Sequence, residues 1–292
     1  MGNHFIEKIQ NIELNKVDEF RKIKCLFEKH FYPDNLSKSI SIKDMFSANF
    51  LYYPNRGSYI DPDSFIAILE PKIVLEVVNE RGSCHEKIDE DKFIIYLEFL
   101  LDVVNYFKTH TNIDKLEIYE YSIGVKLIEL CEILYQQIVL IVEKLNYKVI
   151  IQENVSYIIK KEQEIKIDFA NLKDRTVINE MYDYLKIENK NNEIRKREIL
   201  SYIASNLEGI KNSFPDQSIY KDLTCFYNQF HIRHNNESEE TSKNNVIAKM
   251  SSKEKIEIYD FIFEYSLFAY NIYSKKNFKD KIEKYKKKYK LT

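Results

Sequence analysis

The chain has 292 residues, of which 44% are hydrophobic and 31% are charged, and its formal net charge at pH 7 is −2. This balance is typical of a globular protein with one large or two ordinary domains, and it excludes a largely disordered chain. The small net charge also excludes a global electrostatic field that would draw the protein to nucleic acid or to an anionic membrane.

Several classes of protein are disfavoured by what the sequence lacks. Its five glycines form neither a GxGxxG nor a GxxxxGK[ST] motif, which argues against Rossmann and P-loop nucleotide binding. Histidine, cysteine and carboxylate residues show no metal-ligand spacing, so we expect no metal and no cofactor. The N-terminal MGNHFIEKIQ has no apolar signal-peptide core, and charge interrupts every long apolar run. The four cysteines are widely spaced, as is typical of reduced thiols: Cys25, Cys84, Cys131 and Cys225. We therefore expect a cytoplasmic protein without membrane contact.

Helical periodicity dominates the first half of the chain. Apolar spacing predicts helices over 4–32, within 41–53, over 63–80 with a bend at Pro71, over 86–110 and over 114–145. The last helix carries one continuous apolar stripe, which must pack against other helices: Ile123, Leu127, Leu130, Leu134, Ile138, Ile141 and Leu145.

The composition changes near residue 148. Two β-branched runs, 148–151 and 155–159, are separated by Gln152-Glu153-Asn154 and predict a β-hairpin, with a continued helix as the alternative that such short runs leave open. We therefore expect a mainly α protein with an N-terminal helical region over 1–146, a hairpin or linker over 147–170 and a C-terminal helical domain over 171–292.

The second half returns to helical spacing. Helices are predicted over 176–187, 193–211 and 217–233, followed by a helix that begins at a capping box formed by Ser251 and Glu254 and runs to about 274. The run EIRKRE at 193–198 is typical of charge pairing along a helix surface. The tail has nine lysines between 275 and 290, a composition typical of a solvated helix end or of a contact with single-stranded RNA.

The segment FYNQFHIRHNNESEE at 226–240 holds the candidate functional residues. The buried stripe of helix 217–233 is predicted from four apolar residues: Ile219, Leu223, Phe226 and Phe230. The next positions in that series are 233 and 234, so Arg233 and His234 are predicted to continue the apolar face. One interpretation is structural: a basic helix end followed by an Asn235-Asn236 pair in the left-handed C-cap conformation. The other makes Arg233 an anion-binding residue and His234 or His231 a proton-transfer group, which suits cleavage of a phosphodiester.

The segment LTCFYNQFHIRHNNESEE and the later helix EIYDFIFEYSLFAYNIY resemble HEPN-type domains of prokaryotic abortive-infection and defence proteins. More narrowly, they resemble a bacterial family whose last domain carries N-x-x-x-IRHNN, which runs here from Asn228 to Asn236. The resemblance covers about 176–274. It implies an up-and-down helical bundle, a homodimer and a metal-independent ribonuclease. HEPN motifs usually place four to six residues between arginine and histidine, whereas Arg233 and His234 are adjacent and no histidine follows them.

From this resemblance we expect a defence or toxin-type protein that acts on RNA or a nucleotide. Arg233, His234 and His231 are then the candidate catalytic residues, and the candidate binding residues are Asn228, Asn235, Asn236 and Tyr227. The alternative is a non-catalytic sensor or adaptor, in which the C-terminal bundle mediates dimerisation and the N-terminal half binds a protein partner.

Overall fold

The computed structural model describes residues 14–32, 39–77, 84–110, 121–153, 155–163, 175–214, 216–233 and 247–289. The chain divides into two compact units, Met1–Lys161 and Glu162–Thr292. In the described residues the secondary structure is mainly helical, with two antiparallel two-stranded sheets. The predicted fold class, a mainly α protein with a small hairpin, is confirmed, although a second pair of strands was not foreseen.

The first unit combines five helices with both sheets in its described part. Polar caps begin several helices: Asn15 accepts from the amides of the first turn of α1, Ser41 and Asp44 form a capping box at α2, and Asp61 precedes Pro62 at α3. The elements are α1 Lys16–Glu28, α2 Ile42–Asn49, α3 Pro62–Leu69, β1 Ile73–Val77, β2 Cys84–Ile88, α4 Glu90–His110, α5 Tyr121–Lys144, β3 Tyr147–Gln152 and β4 Val155–Lys160.

The predicted helix over 63–80 is wrong in its second part. Helix α3 ends at Leu69, and 73–77 form strand β1, which pairs with β2 from Ile73 opposite Ile88 to Val77 opposite Cys84. The helix predicted from residue 86 therefore begins only at Glu90. A short apolar run fits a helix or a strand equally well, and here pairing with a second segment decides the outcome.

Helix α4 forms the centre of the first unit. It packs against α3, α5 and β4, and Phe20 of α1 contacts the rings of Phe93 and Tyr96. Because these neighbours surround the helix, most of its apolar residues are fully buried: Phe93, Ile94, Leu97, Leu100, Leu101, Val103, Val104 and Phe107. The predicted stripe of α5 is confirmed at Leu127, Leu134, Ile138 and Ile141, which are buried, whereas Leu130 and Leu145 are partly exposed.

The predicted hairpin is confirmed as strands β3 and β4, paired from Tyr147 opposite Lys160 to Gln152 opposite Val155. Helix α4 covers the outer edge of β4. The backbone N–H of Ser156 donates to Asp102 (3.0 Å), and that of Ile158 donates to Glu98 (2.9 Å). Edge amides that a short sheet would leave without acceptors are thereby satisfied, and the hairpin is joined to the first unit's core.

The second unit is a bundle of four helices in its described part, α6 Thr176–Leu185, α7 Glu193–Gly209, α8 Gln217–Gln229 and α9 Ser252–Tyr289. Helix α7 packs against the other three, and α8 also packs against α9. The predicted capping box is confirmed, since the backbone N–H of Ser251 donates to Glu254 (2.8 Å) and that of Glu254 donates to Ser251 Oγ (3.3 Å). The predicted end near 274 is wrong, because the same helix continues to Tyr289.

Candidate functional site

Helix α8 ends at Gln229, four residues before its predicted end, in a turn centred on His231. The backbone N–H of Ile232 donates to the carbonyl of Tyr227 (2.9 Å), and that of His231 donates to the carbonyl of Asn228 (3.3 Å). His231 adopts φ +49°, the left-handed conformation of the residue that follows a helix in a Schellman motif. The left-handed residue that ends the helix is therefore His231, and the predicted cap at Asn235-Asn236 is wrong. Because the helix has already ended, Arg233 does not continue the apolar face of α8.

The buried face of α8 is also rotated from the prediction. Ile219, Leu223 and Tyr227 are buried at intervals of four residues, whereas Phe226 and Phe230 are partly exposed. The hydroxyl of Tyr227 lies 2.6 Å from Oγ of Ser266, which in turn donates to the carbonyl of Ile262. Burial raises the pKa of Tyr227. This hydroxyl is therefore engaged inside the contact between α8 and α9.

Arg233 folds back from the turn toward the bundle, after the buried Ile232. Its side chain is only 16% exposed, and its Nη1 lies 3.6 Å from Oε2 of Glu208 on α7. The guanidinium carbon lies 5.7 Å from the centroid of the Tyr227 ring, a cation–π contact. Its Nε and Nη2 are buried without a hydrogen-bond acceptor among the described residues.

The structure brings together some of the candidate residues. Arg233 and Tyr227 are in contact, while Asn228 is exposed on the last turn of α8 and His231 is partly exposed in the turn that follows. The remaining three candidates lie outside the described residues: His234, Asn235 and Asn236.

Glu208 is the site residue that the sequence analysis missed. It lies in the last turn of α7, which carries no basic residue. A carboxylate there opposes the helix dipole and is unfavourable without a cation nearby. That mismatch is a weak signal in the sequence, and only the packing of α7 beside the α8 turn reveals that Arg233 is the cation.

A second charged cluster links α6, α7 and α9. Lys196 is 4% exposed, with Nζ 2.5 Å from Oδ1 of Asp260 and 4.1 Å from the centroid of the Tyr184 ring. The Tyr184 hydroxyl donates to the same oxygen (2.9 Å), and burial with the charge of Asp260 raises the pKa of Tyr184. Arg195 likewise contacts Asp183 on α6 (2.7 Å). The predicted pairing within EIRKRE is present between Arg195 and Glu198 (3.6 Å), but the same run also bridges helices through Arg195 and Lys196.

A cleft of about 700 Å³ lies at the N-termini of α7 and α9, and its lining includes both acids and a base: Glu188, Asn191, Asn192, Glu193, Ile194, Arg197 and Ser252. None of the candidate residues lines it.

Within the described ranges, no three His, Cys, Asp or Glu side chains are grouped as metal ligands. In the same part of the chain, no helix has the length and apolar character needed to cross a bilayer.

Comparison with known proteins identifies no matching family model, no similar curated protein and no similar solved structure.

Proposed function

We propose that the second unit is a HEPN-like domain of a defence or toxin-type protein that acts on RNA or a nucleotide, with Arg233 as the phosphate-binding residue. One observation carries this proposal: two nitrogens of a largely buried guanidinium have no acceptor among the described residues. A buried donor without an acceptor costs roughly 1–3 kcal/mol, and more when it is charged. An oxyanion at this position would satisfy both donors.

The orientation of Arg233 favours phosphate. Glu208 approaches only Nη1, at 3.6 Å, which is longer than a charged hydrogen bond. The edge formed by Nε and Nη2 has no acceptor among the described residues, and in this proposal it becomes exposed and binds two oxygens of one phosphate side by side.

The proposed reaction is metal-independent cleavage of RNA. A histidine, His231 or His234, takes the proton from a ribose 2′-hydroxyl, whose oxygen attacks the phosphorus. The bond to the 5′-oxygen breaks, and that oxygen receives a proton from a protonated histidine. Arg233 offsets the negative charge that grows on the phosphate oxygens. Asn228, Asn235 and Asn236 position the substrate, and the HEPN resemblance implies that two copies act together.

A second candidate function is a non-catalytic adaptor, which a different observation favours. Arg233 already contacts Glu208 and the Tyr227 ring, so it also stabilises the turn after α8. The first unit, in turn, exposes large apolar side chains that suit a protein partner: Leu51, Tyr52, Ile60 and Leu75. In this case the bundle would mediate dimerisation and the first unit would recruit the partner.

Two assays separate these functions: binding of labelled single-stranded RNA by fluorescence anisotropy, and cleavage of total RNA. We expect Arg233→Ala to weaken binding roughly 10- to 100-fold, the loss expected for a charged hydrogen-bonded contact. Arg175→Ala, at an exposed arginine of the same unit, is the matched control and should leave binding unchanged. If wild-type protein neither binds nor cleaves RNA, or if Arg233→Ala retains both activities, the adaptor function is favoured.

A further variant tests the role of His231. Glycine adopts φ +49° without strain, so His231→Gly preserves the turn and removes only the imidazole. If cleavage is lost while the circular dichroism spectrum and RNA affinity are unchanged, His231 is the proton-transfer group. If cleavage is retained, that role belongs to His234, and His234→Ala should abolish it.

A further inference from the structure

The side chain of Arg233 lies in what is here called the closed position, with its guanidinium turned toward the bundle. Nη1 lies 3.6 Å from Oε2 of Glu208, and the guanidinium carbon lies 5.7 Å from the centroid of the Tyr227 ring. A ligand in solvent does not reach Nε and Nη2 while both nitrogens are buried. Phosphate binding at Arg233 therefore requires an open position, in which the side chain has turned outward.

Negative charge at the end of α7 favours the closed position. Glu208 lies in the last turn of this helix, where its carboxylate adds to the partial negative charge of the helix C-terminus. That last turn contains no basic residue of its own, so Arg233 supplies the cation from the neighbouring turn. Glu208 therefore attracts the same guanidinium that a phosphate would need.

Other features oppose the closed position. The 3.6 Å pair is longer than a charged hydrogen bond, and the Glu208 side chain is 51% exposed, so water screens the attraction. Nε and Nη2 have no acceptor among the described residues, whereas water would hydrate both nitrogens in the open position. Because these contributions oppose one another, a change in the charge of Glu208 should shift the populations of the two positions.

The movement can be confined to one side chain. Ile232, directly before Arg233, is 3% exposed, and its backbone N–H donates to the carbonyl of Tyr227 (2.9 Å). This contact fixes the backbone of the turn, while the arginine side chain has several rotatable bonds. Rotation about these bonds moves the guanidinium outward without breaking the hydrogen bonds of the turn.

We propose that Glu208 is an autoinhibitory residue, which competes with substrate phosphate for Arg233. In the resting protein it holds the arginine closed, and a bound phosphate replaces its carboxylate in the open position. The apparent affinity for substrate is then reduced by the fraction of molecules that are open. This role rests on the proposed binding of phosphate by Arg233 and adds the contact that opposes it.

The first test measures the affinity for labelled single-stranded RNA by fluorescence anisotropy. Glu208→Gln keeps the side-chain size and removes the charge, so we expect binding to tighten roughly 3- to 10-fold, between the effects of an exposed and a buried ion pair. Glu198→Gln is the matched control. It removes the same charge from α7 at another arginine–glutamate pair, also 3.6 Å apart, and should leave the affinity unchanged.

A double variant separates release of Arg233 from simple repulsion of RNA by Glu208. If Glu208 acts through Arg233, Glu208→Gln/Arg233→Ala should bind RNA as weakly as Arg233→Ala, because no arginine remains to be released. If the double variant instead gains the same factor over Arg233→Ala that Glu208→Gln gains over wild type, Glu208 only repels RNA, and the autoinhibitory role is overturned.

A third measurement needs no RNA. Exchange of the Arg233 Nε–H with water is followed in proton–nitrogen NMR spectra, with the signal assigned by its loss in Arg233→Ala. A buried N–H exchanges through the open position, so Glu208→Gln should accelerate this exchange by roughly the same 3- to 10-fold factor as RNA binding. Glu198→Gln should leave the exchange rate unchanged.

Two results distinguish failure of this role from failure of RNA binding. Faster Nε–H exchange in Glu208→Gln, with no RNA binding by any variant, supports Glu208 as the residue that holds Arg233 closed and rejects RNA as the ligand. RNA binding that is lost in Arg233→Ala but unchanged in Glu208→Gln, with unchanged Nε–H exchange, overturns the autoinhibitory role and supports the proposed function.

Discussion

The hydroxyls of Tyr227 and Ser266 lie 2.6 Å apart, both fully or almost fully buried between α8 and α9. On the same helix as Ser266, the hydroxyl of Tyr259 is also buried but has no hydrogen-bond partner among the described residues. One buried tyrosine hydroxyl therefore stabilises the bundle, and the other reduces its stability.

Removing these two hydroxyls should have opposite effects. Tyr227→Phe loses a buried hydrogen bond and leaves Ser266 without its donor, so we expect a loss of about 1–2 kcal/mol in the free energy of unfolding. Tyr259→Phe removes an unsatisfied group, and we expect unchanged stability or a gain of about 1 kcal/mol. Urea titrations followed by circular dichroism measure both values. Equal destabilisation by the two variants would contradict this prediction.

Alkaline pH should unfold the protein through its buried tyrosines. Burial raises the pKa of Tyr96, Tyr184 and Tyr227, and it raises the pKa of Tyr259 to about 12. An unfolded tyrosine titrates near 10, so the folded state holds these protons more tightly. This stabilisation is fully present below about pH 10 and is lost as pH rises through the folded pKa values, about 12 for Tyr259.

The measurement compares tyrosinate absorbance with helicity across the alkaline range. A fraction of the tyrosine signal should appear only as the helices unfold. If all 22 tyrosines titrate while helicity is constant, the buried hydroxyls do not stabilise the fold in this way.

The Lys196–Asp260 pair should be sensitive to which partner is removed. Asp260→Asn leaves a buried ammonium without its counter-charge, and since Asp260 is 48% exposed we expect about 2–3 kcal/mol of destabilisation rather than the larger loss of a fully buried pair. Lys196→Met keeps the side-chain volume and removes the charge, so its effect should be less than about 1.5 kcal/mol. Thermal unfolding near neutral pH ranks the two variants, and a more damaging Lys196→Met would refute this explanation.

The contact between α4 and β4 should control local opening of the hairpin. The Ile158 amide donates to Glu98 in a buried hydrogen bond, and Glu98→Leu removes its acceptor. We therefore expect the free energy of unfolding to fall by about 1–3 kcal/mol. Hydrogen exchange at the Ile158 amide should accelerate more than exchange within α4. Glu129→Ala, at an exposed carboxylate of α5, is the control that should change neither quantity.

Most helices of this protein could be predicted from the sequence, because helix formation depends on local properties. Ser251 and Glu254 mark the start of α9 by their own hydrogen bonds, and apolar spacing places the stripe of α5. The β3–β4 hairpin was also predictable, because its strands are separated by a very short turn. These features require little information from distant residues.

The candidate site depended on tertiary structure. Strand β1 exists only because β2 pairs with it, and His231 ends α8 in a conformation for which glycine or asparagine is the usual residue. The sequence by itself determined that a histidine and an arginine, His231 and Arg233, follow the end of α8. Only the packing of α7 decided that Arg233 lies beside Glu208 with two buried nitrogens, because such contacts join residues that are distant along the chain.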